Sequence, residues 1–220
     1  MRATAHQPVF LPYLGVFRKA LDSDVFIVLN DVQFVKNSFM NRNKILTKQG
    51  ESWLTVPVKK APLDTLVYDI EVSYLKEWRR AMQRTLQETY GKASFFAEVM
   101  DVLAPVFEEH AYMSDLNVEL FGDVLQYFGQ PREFVYSSDF QPVKNATERL
   151  LVRTEQAGCD TYLAGKNGKE YMSSTNEQGI AIEFQDYECK EYPQFNSKVF
   201  VPSLSVVDYM MNMGADTSLL

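Results

Sequence analysis

The feature that most constrains this fold lies within the first thirty residues, where a strand, a proline-flanked loop, a helix and an apolar strand follow one another. Residues 3–10 are small and then apolar, and the apolar positions of residues 14–22 recur at helical spacing. The run 25–29 is continuously apolar, as is typical of a strand buried on both faces of a parallel sheet. This succession predicts a βαβ unit with a right-handed crossover.

The rest of the chain continues the alternation of strands and helices around one long helical stretch. Helical spacing predicts about three helices between residues 74 and 130, which we interpret as a helical insertion packed on the sheet. Further strands are predicted at 52–58, near 66–72, at 161–164 and at 180–184, and further helices at 145–158 and 204–213. The sequence therefore predicts one domain over residues 1–220, of the α/β class, with a three-layer, mostly parallel, Rossmann-like sheet.

Charge is unevenly distributed along the chain. The 220 residues carry a formal net charge of −7, which argues against general binding to nucleic acid or to anionic membranes. Residues 31–60, however, hold six basic and two acidic side chains, a local net charge of +4. This segment is the natural place for an anionic ligand, although a solvated basic face is an open alternative.

The number of cysteines and the absence of long apolar runs indicate in which cellular compartment the protein is expected. Cys159 and Cys189 are too far apart for a CxxC motif, and two cysteines are too few for a disulfide scaffold. The first residues contain no apolar signal core, and no run approaches the ~18 apolar residues of a membrane span. We therefore expect a cytoplasmic protein with reduced thiols.

The first candidate site is the segment 6–15 (His-Gln-Pro-Val-Phe-Leu-Pro-Tyr-Leu-Gly), which joins the first strand to the first helix. In parallel α/β sheets ligands bind at this edge, and helix N-terminal N–H groups favour anions. His6 is the candidate catalytic residue, because a histidine can hydrogen-bond a phosphate or move a proton near neutral pH. The candidate binding residues are Gln7, Pro8, Tyr13 and Gly15. The alternative is a turn shaped by prolines, with His6 ending the strand.

The second candidate site follows the apolar strand, again at a strand end. It combines carboxylate, amide, guanidinium and amine groups within residues 31–44. Asp31 and Arg42 are assigned catalytic roles, since an arginine can hold a phosphate or carboxylate through a bidentate fork. The candidate binding residues are Gln33, Lys36, Asn41 and Asn43. An Asn-rich loop whose side chains make its own turns is an equally open interpretation.

Two later segments hold weaker candidates. The helix start at 144–149 contributes the candidate binding residues Lys144, Thr147, Glu148 and Arg149, although a cap and an acidic first turn account for part of it. The Gly-x-x-Gly loop after the predicted strand 161–164 contributes Gly165, Gly168 and, further on, Tyr171. Such a loop with two lysines can hold an anion, but a plain turn is the simpler explanation.

Several common motifs are missing. The sequence has no Gly-x-Gly-x-x-Gly or Walker A motif, no His-Glu-x-x-His and no Gly-x-Ser-x-Gly. Rossmann dehydrogenases, P-loop NTPases, zinc hydrolases and α/β-hydrolases are therefore unsupported, and no metal ligands are predicted.

Further motifs complete the pattern of the two N-terminal segments. They are Trp53-Leu54-Thr55-Val56-Pro57-Val58, Thr147-Glu148-Arg149-Leu150, Tyr162-Leu163-Ala164-Gly165, Tyr171, Tyr192-Pro193-Gln194 and Leu204-Ser205-Val206-Val207-Asp208. In this order, and over nearly the whole chain, they resemble the WbqC-like protein family. The departures are Asn30, where an acidic residue is expected, and Met172-Ser173-Ser174, which lacks the usual aspartate.

The resemblance implies a role in the biosynthesis of O-antigen, the surface polysaccharide of bacterial lipopolysaccharide, because family members occur with genes for such polysaccharides. The layout of residues 6–15, Asp24 and Gln33-Phe34 is also similar to the opening of nucleotidylyl-transfer enzymes such as pantothenate synthetase, which bind ATP. Val9 stands where those enzymes carry a second histidine. This similarity suggests ATP with Mg²⁺; no other cofactor is expected.

The leading hypothesis is an enzyme, either a transferase or an ATP-dependent acyl ligase. It would transfer an acyl or aminoacyl group to the amine of a nucleotide-linked sugar, with His6 as general base or stabiliser of developing charge. In this hypothesis Lys36, Arg42 and Arg149 position the anion, while Asp31 and Gln33 hold the sugar or amine.

Two alternatives belong to other classes. A non-catalytic binding or assembly protein of the same pathway would expose an apolar or aromatic patch, for example on the helices of residues 75–129. A protein that binds tRNA through residues 36–60 would suit an aminoacyl-tRNA-dependent transferase, and its binding would depend on salt.

Overall fold

Five parallel strands form the central sheet in a computed structural model that describes residues 1–142, 146–166, 168, 172 and 179–220, with the backbone alone at 146 and 147. The strands of the chain are β1 (Arg2–His6), β2 (Val25–Val28), β3 (Arg42–Thr47), β4 (Gly50–Thr55), β5 (Phe134–Tyr136), β6 (Thr161–Ala164) and β7 (Ala181–Phe184). The helices are α1 (Leu14–Leu21), α2 (Trp78–Tyr90), α3 (Phe96–Val102), α4 (Met113–Tyr127), α5 (Ala146–Gln156) and α6 (Val206–Met213).

The order of the strands in the sheet is β5-β2-β1-β6-β7. The chain starts in the centre, builds outwards through β2 to β5, and then returns to the other side of β1 to add β6 and β7. Connections therefore leave β1 and β6 in opposite directions, and a crevice opens beyond their carboxyl ends.

Side chains of β2 show why the sheet lies between two layers. Phe26 and Val28 belong to one hydrophobic core, whereas Val25 and Ile27 pack against the other. Successive side chains of a strand point to opposite faces, so a continuously apolar strand needs cover on both. The predicted three-layer, parallel α/β fold is confirmed.

Aromatic packing holds α1 and α4 on the first face. The rings of Phe17 and Phe121 stack with centroids 4.6 Å apart. The centroid of the Phe121 ring is 5.1 Å from that of Phe26 in the sheet. On the opposite face Leu151 of α5 packs in the core that contains Ala3 and Tyr162.

An antiparallel hairpin of β3 and β4 stands apart from the main sheet. The predicted strand at 52–58 corresponds to β4, but β3 and β5 were not predicted. The prediction of a strand near 66–72 is wrong, because this stretch forms a 3-10 helix at Val67–Asp69. Its backbone donors go to the loop after β2, with Val67 N–H donating to the Val32 carbonyl at 2.8 Å.

Three helices, α2 to α4, lie between β4 and β5, where the helical insertion was predicted. That this stretch is an insertion stays a prediction. The middle helix of the three is short: α3 ends at Val102, and a 3-10 helix follows at Ala104–Phe107 with Pro105 near its start. Proline lacks the N–H that would continue α3. Among the described helices, none combines the length and the apolar character needed to cross a bilayer.

Buried hydrogen bonds fix the C-terminal part of the chain. The Asp208 carboxylate of α6 accepts from the Tyr90 hydroxyl at 2.5 Å, the Tyr192 hydroxyl at 2.9 Å and the Gln194 amide at 3.2 Å. Asp208 is only 1% exposed, and burial raises its pKa. The segments 192–194 and 204–208 thus meet at one carboxylate.

Candidate functional site

A cavity of about 660 Å³ opens at the carboxyl edge of the sheet, where β1 lies beside β6. This volume is within the range of small-molecule sites. Segments that follow three strands contribute to its wall: His6 and Gln7 after β1, Gly165, Lys166 and Gly168 after β6, and Gln185, Tyr187 and Cys189 after β7. The cavity therefore lies at the crevice where this sheet order predicts a ligand.

The His6 imidazole lies in the cavity wall in a defined tautomer. Its Nδ1 is 2.8 Å from the Gln7 carbonyl oxygen, which only accepts, so Nδ1 carries the proton and Nε2 keeps its lone pair. Burial, the largest effect, and the charge of Lys19 together lower the pKa of His6 to about 4, although the hydrogen bond to the Gln7 carbonyl opposes them. His6 is therefore neutral at neutral pH.

Lys19 is a second titratable residue of the cavity wall. It lies on α1, is only 6% exposed, and donates from Nζ to the Ala5 carbonyl at 3.0 Å. Burial lowers the pKa of Lys19 to about 8. The Tyr162 ring centroid is 5.9 Å from Nζ, a distance at which a ring face attracts a cation.

The loop between β1 and α1 is strained and is held by side chains from elsewhere. Leu11 has a φ of 44°, unusual for a bulky residue, and is 2% exposed. Its carbonyl accepts from Asn43 Nδ2 and from the Ser205 hydroxyl, each at 2.8 Å. Asn43 also donates to the Phe10 carbonyl at 3.1 Å. These bonds fix the loop that carries Tyr13 to the cavity.

Gly15 allows two close contacts at the start of α1. A side chain at this position would overlap the Tyr13 ring, whose nearest atom would lie 2.4 Å from the added carbon. The Gly15 carbonyl accepts from Gln185 Nε2 at 2.8 Å, which ties the start of α1 to the end of β7. The predicted pair Tyr13 and Gly15 does lie in the cavity wall, and Gln185 joins it.

The segment that follows β2 reaches the cavity through residues other than its charged ones. Ser38, Phe39, Met40 and Asn43 line the cavity, so the two predicted N-terminal segments do meet. Arg42 does not line it; its guanidinium carbon lies 4.1 Å from the centroid of the Trp53 ring. The ring centroids of Trp53 and Phe39 are 5.9 Å apart, and both rings are substantially exposed at the rim of the cavity.

Asp31 lies at the end of β2 but is engaged elsewhere. Its carboxylate accepts from both terminal nitrogens of Arg153, one at 2.9 Å, and from the Ser137 hydroxyl. Although burial alone would raise the pKa of Asp31, the hydrogen bonds from Arg153 and Ser137 outweigh it and hold the pKa below its usual value. The catalytic roles of Asp31 and Arg42 stay predictions, and neither residue lines the cavity.

The remaining residues predicted from the two N-terminal segments lie outside the cavity wall. Gln33 donates to the Leu63 carbonyl at 2.6 Å, and Lys36 is exposed. Asn41 donates to the Val56 carbonyl at 3.0 Å and accepts from the Asn37 N–H at 3.1 Å. The Pro8 carbonyl accepts from Asn117 Nδ2 at 3.0 Å. The amide of Asn41 thus braces its own loop against the residue after β4, whereas the amide of Asn43 holds the loop between β1 and α1.

The candidates of the two later segments divide in the same way. Gly165 and Gly168 line the cavity, and a side chain at Gly168 would come within 2.8 Å of the Ala164 side chain. Glu148 and Arg149 lie on α5, and Arg149 contributes to the low pKa of Asp31. Lys144, Tyr171 and the side chain of Thr147 lie outside the described residues.

Sequence reasoning missed Lys19, Gln185, Tyr187 and Cys189 as parts of this wall. Of these residues only Lys19 could have been found from its surroundings in the sequence, because it is a lysine within a helix, α1, that is buried almost throughout. The Tyr187 hydroxyl is buried and has no hydrogen-bond partner that meets ordinary geometry in the described part of the chain. Burial raises the pKa of Tyr187, and Cys189 beside it adds to the rise. Within the described residues, no group of three or more His, Cys, Asp or Glu side chains is placed to hold a metal ion.

Comparison with known proteins places the chain in a family. The chain is 32% identical over 216 residues to the uncharacterized protein Rv1507c of Mycobacterium tuberculosis, a match that covers 96% of this chain and 93% of the relative. No solved structure matches the chain significantly. Residues 7–219 match the WbqC-like protein family, from the cavity loop after His6 almost to the C-terminus, and the chain therefore belongs to that family.

Proposed function

We propose that this protein is an enzyme of bacterial surface-polysaccharide (O-antigen) biosynthesis that transfers an acyl or aminoacyl group to the amine of a nucleotide-linked amino sugar in the cytoplasm. One observation carries the proposal: the residues after β1, β6 and β7 surround a single cavity at the reversal of strand order. Ligands of parallel α/β sheets bind at such a position. The family resemblance supplies the polysaccharide pathway.

The cavity offers a base and positive charge to such a substrate. His6 Nε2 has a free lone pair, so it accepts a proton from the sugar amine as the new N–C bond forms and the leaving group departs from the acyl carbon. A bound phosphate raises the pKa of this imidazole from its low value, because an opposite charge favours the protonated form. Lys166 and Lys19 lie in the same wall and oppose the charge of the substrate.

The direct test is to incubate the protein with a panel of dTDP-amino sugars, ATP, Mg²⁺ and glycine, and to follow the mass of the sugar product. We expect a mass increase equal to the mass of glycine minus that of one water, because the new amide replaces the glycine carboxyl oxygen and a hydrogen of the sugar amine. His6→Ala is expected to remain folded and to lose about 10²- to 10⁴-fold of the rate. His110→Ala is the matched control, since His110 contacts the Pro105 carbonyl away from the cavity. No mass shift across the panel would count against the proposal.

A non-catalytic binding protein is the second candidate. The exposed ring pair of Phe39 and Trp53 at the cavity rim favours it, because exposed aromatic side chains suit a ligand or partner surface. Binding of nucleotide sugars in a thermal-shift assay, with no product in the mass measurement, would support this candidate.

A further inference from the structure

Lys19 is an unusual lysine because its charged end lies inside the protein rather than in solvent. It is 6% exposed, and its one described hydrogen bond goes to the Ala5 carbonyl at 3.0 Å. An ammonium group has three N–H donors, and lysine is almost never buried to this degree without a partner of opposite charge.

No carboxylate among the described residues supplies that charge. Lys19 takes part in none of the ion pairs formed by the described part of the chain. The buried Arg153, by contrast, has a complete bidentate partner in Asp31. A buried cation without a counter-charge is costly, as the low pKa of Lys19 reflects.

The surroundings of Lys19 are those of a binding site. It lines the cavity together with His6, Gly165 and Gly168. His6 presents a neutral imidazole, so it does not satisfy the ammonium as an anion would. The cavity thus has room for an anionic group beside Lys19.

We infer that Lys19 binds a phosphate group of the substrate and that this phosphate supplies the counter-charge that the described part of the chain does not. The inference rests on the proposed function for the identity of the substrate, but the anion site itself does not depend on acyl transfer. It moves the anion-binding role from the basic segment 31–60 to the α1 face of the cavity.

The test compares the wild-type protein with Lys19→Met and with Lys92→Met, a matched control at an exposed position after α2. Pyrophosphate, dTDP and ATP are titrated by calorimetry, and each unliganded protein is melted. We expect Lys19→Met to bind about 10- to 100-fold more weakly, since a hydrogen bond to a charged group is lost. Its unliganded melting temperature is expected to equal or exceed that of the wild type, because a buried unpaired charge is removed.

The outcomes are distinguishable from those of the transfer assay. Binding of pyrophosphate that is lost in Lys19→Met supports the inference even if no sugar product forms. Unchanged affinity in Lys19→Met, or formation of product by this variant at the wild-type KM, overturns it while leaving the proposed function in place. A lower melting temperature with unchanged affinity would show a purely structural lysine and also overturn it.

A second measurement on the wild-type protein keeps the inference testable if Lys19→Met does not fold. Lysines are labelled with an amine-reactive reagent, with and without dTDP or pyrophosphate, and mapped by peptide mass spectrometry. We expect the ligand to slow labelling of Lys19 at least several-fold and to leave Lys92 unchanged. Equal labelling of Lys19 in both samples overturns the inference.

Discussion

Arg153 on α5 and Asp31 after β2 form a bidentate ion pair across 122 residues of sequence. The Arg153 side chain is 1% exposed and the Asp31 side chain 21%. The buried guanidinium therefore depends on this carboxylate as its counter-charge. The pair joins the end of β2 to α5, which covers the second face of the sheet.

Removing either partner should destabilise the fold strongly. Asp31→Ala leaves a buried guanidinium without its counter-charge and is expected to lower the free energy of unfolding by about 3–5 kcal/mol in urea titrations. Glu77→Ala provides the control, since its pair with Arg80 is exposed on both sides and is worth about 0–1 kcal/mol. Equal losses in the two variants would show that the buried pair does not stabilise the fold more than a surface pair.

The same pair should make the stability of the fold depend on pH in the acidic range. The pKa of Asp31 is lower in the folded protein than in the unfolded chain, so its contribution is full above the ordinary value of 3.8 and is lost as pH falls through the lowered pKa. We expect the stability difference between wild type and Asp31→Ala to be constant from pH 7 to about 5 and to shrink below pH 4. A difference that grows on acidification would contradict the assigned direction.

His6 should titrate well below an ordinary histidine. Its pKa falls from 6.5 to about 4 on folding, so the folded state binds fewer protons and wild-type stability rises with pH between these values. His6→Gln is expected to lack that rise, about 3 kcal/mol, and His110→Gln serves as the control. An NMR titration of the imidazole signals gives the midpoint directly, and a value near 6.5 for His6 would refute the burial argument.

Asn43 should matter for the shape of the cavity loop rather than for chemistry. Asn43→Ala leaves the Phe10 and Leu11 carbonyls short of a buried donor and is expected to cost about 1–3 kcal/mol of unfolding free energy. Gln83→Ala, at an exposed position of α2, should change it by no more than about 0.5 kcal/mol. Full stability of Asn43→Ala, with ligand affinity lost, would instead indicate direct contact with the substrate.

The two glycines of the loop after β6 should respond differently to a methyl group. Gly168→Ala places a carbon 2.8 Å from the Ala164 side chain, and such overpacking is expected to cost about 1–3 kcal/mol and to weaken nucleotide binding. Gly165→Ala meets no atom within 4 Å and is the matched control for stability. Chemical denaturation and calorimetry of the two variants check this, and equal behaviour would contradict the close packing at Gly168.

The local sequence pattern was enough to predict the strands and helices that are buried along most of their length. β1, α1 and β2 are where the sequence predicts them, because an amphipathic helix and a doubly buried strand each leave a periodic signal. β5 has three half-buried residues, and β3 begins within an Asn-rich stretch, so neither shows a clear alternation. The prediction of a strand near 66–72 failed because this stretch forms a 3-10 helix that is hydrogen-bonded to the loop after β2.

Charge pattern was a poorer guide to the site than strand position. The sequence placed the cavity loop at the carboxyl end of β1 and marked Tyr13, Gly15, Gly165 and Gly168, all of which line the cavity. The basic segment after β2 pointed to Arg42, whereas the structure stacks Arg42 on Trp53. A guanidinium can be placed by an aromatic face as readily as by an anion, and a count of charges does not tell the two apart.

By itself, the sequence determined the family, the α/β class and the loops that end the strands, because these follow from local hydrophobic periodicity and from short motifs. The tertiary structure alone decided the strand order β5-β2-β1-β6-β7, and with it which loops meet. It brought His6 into one cavity wall with Gly168 and Tyr187, placed the Lys19 side chain in the interior, and paired Asp31 with Arg153. These contacts join residues more than a hundred positions apart, and a local pattern carries no signal for which distant segments pack together.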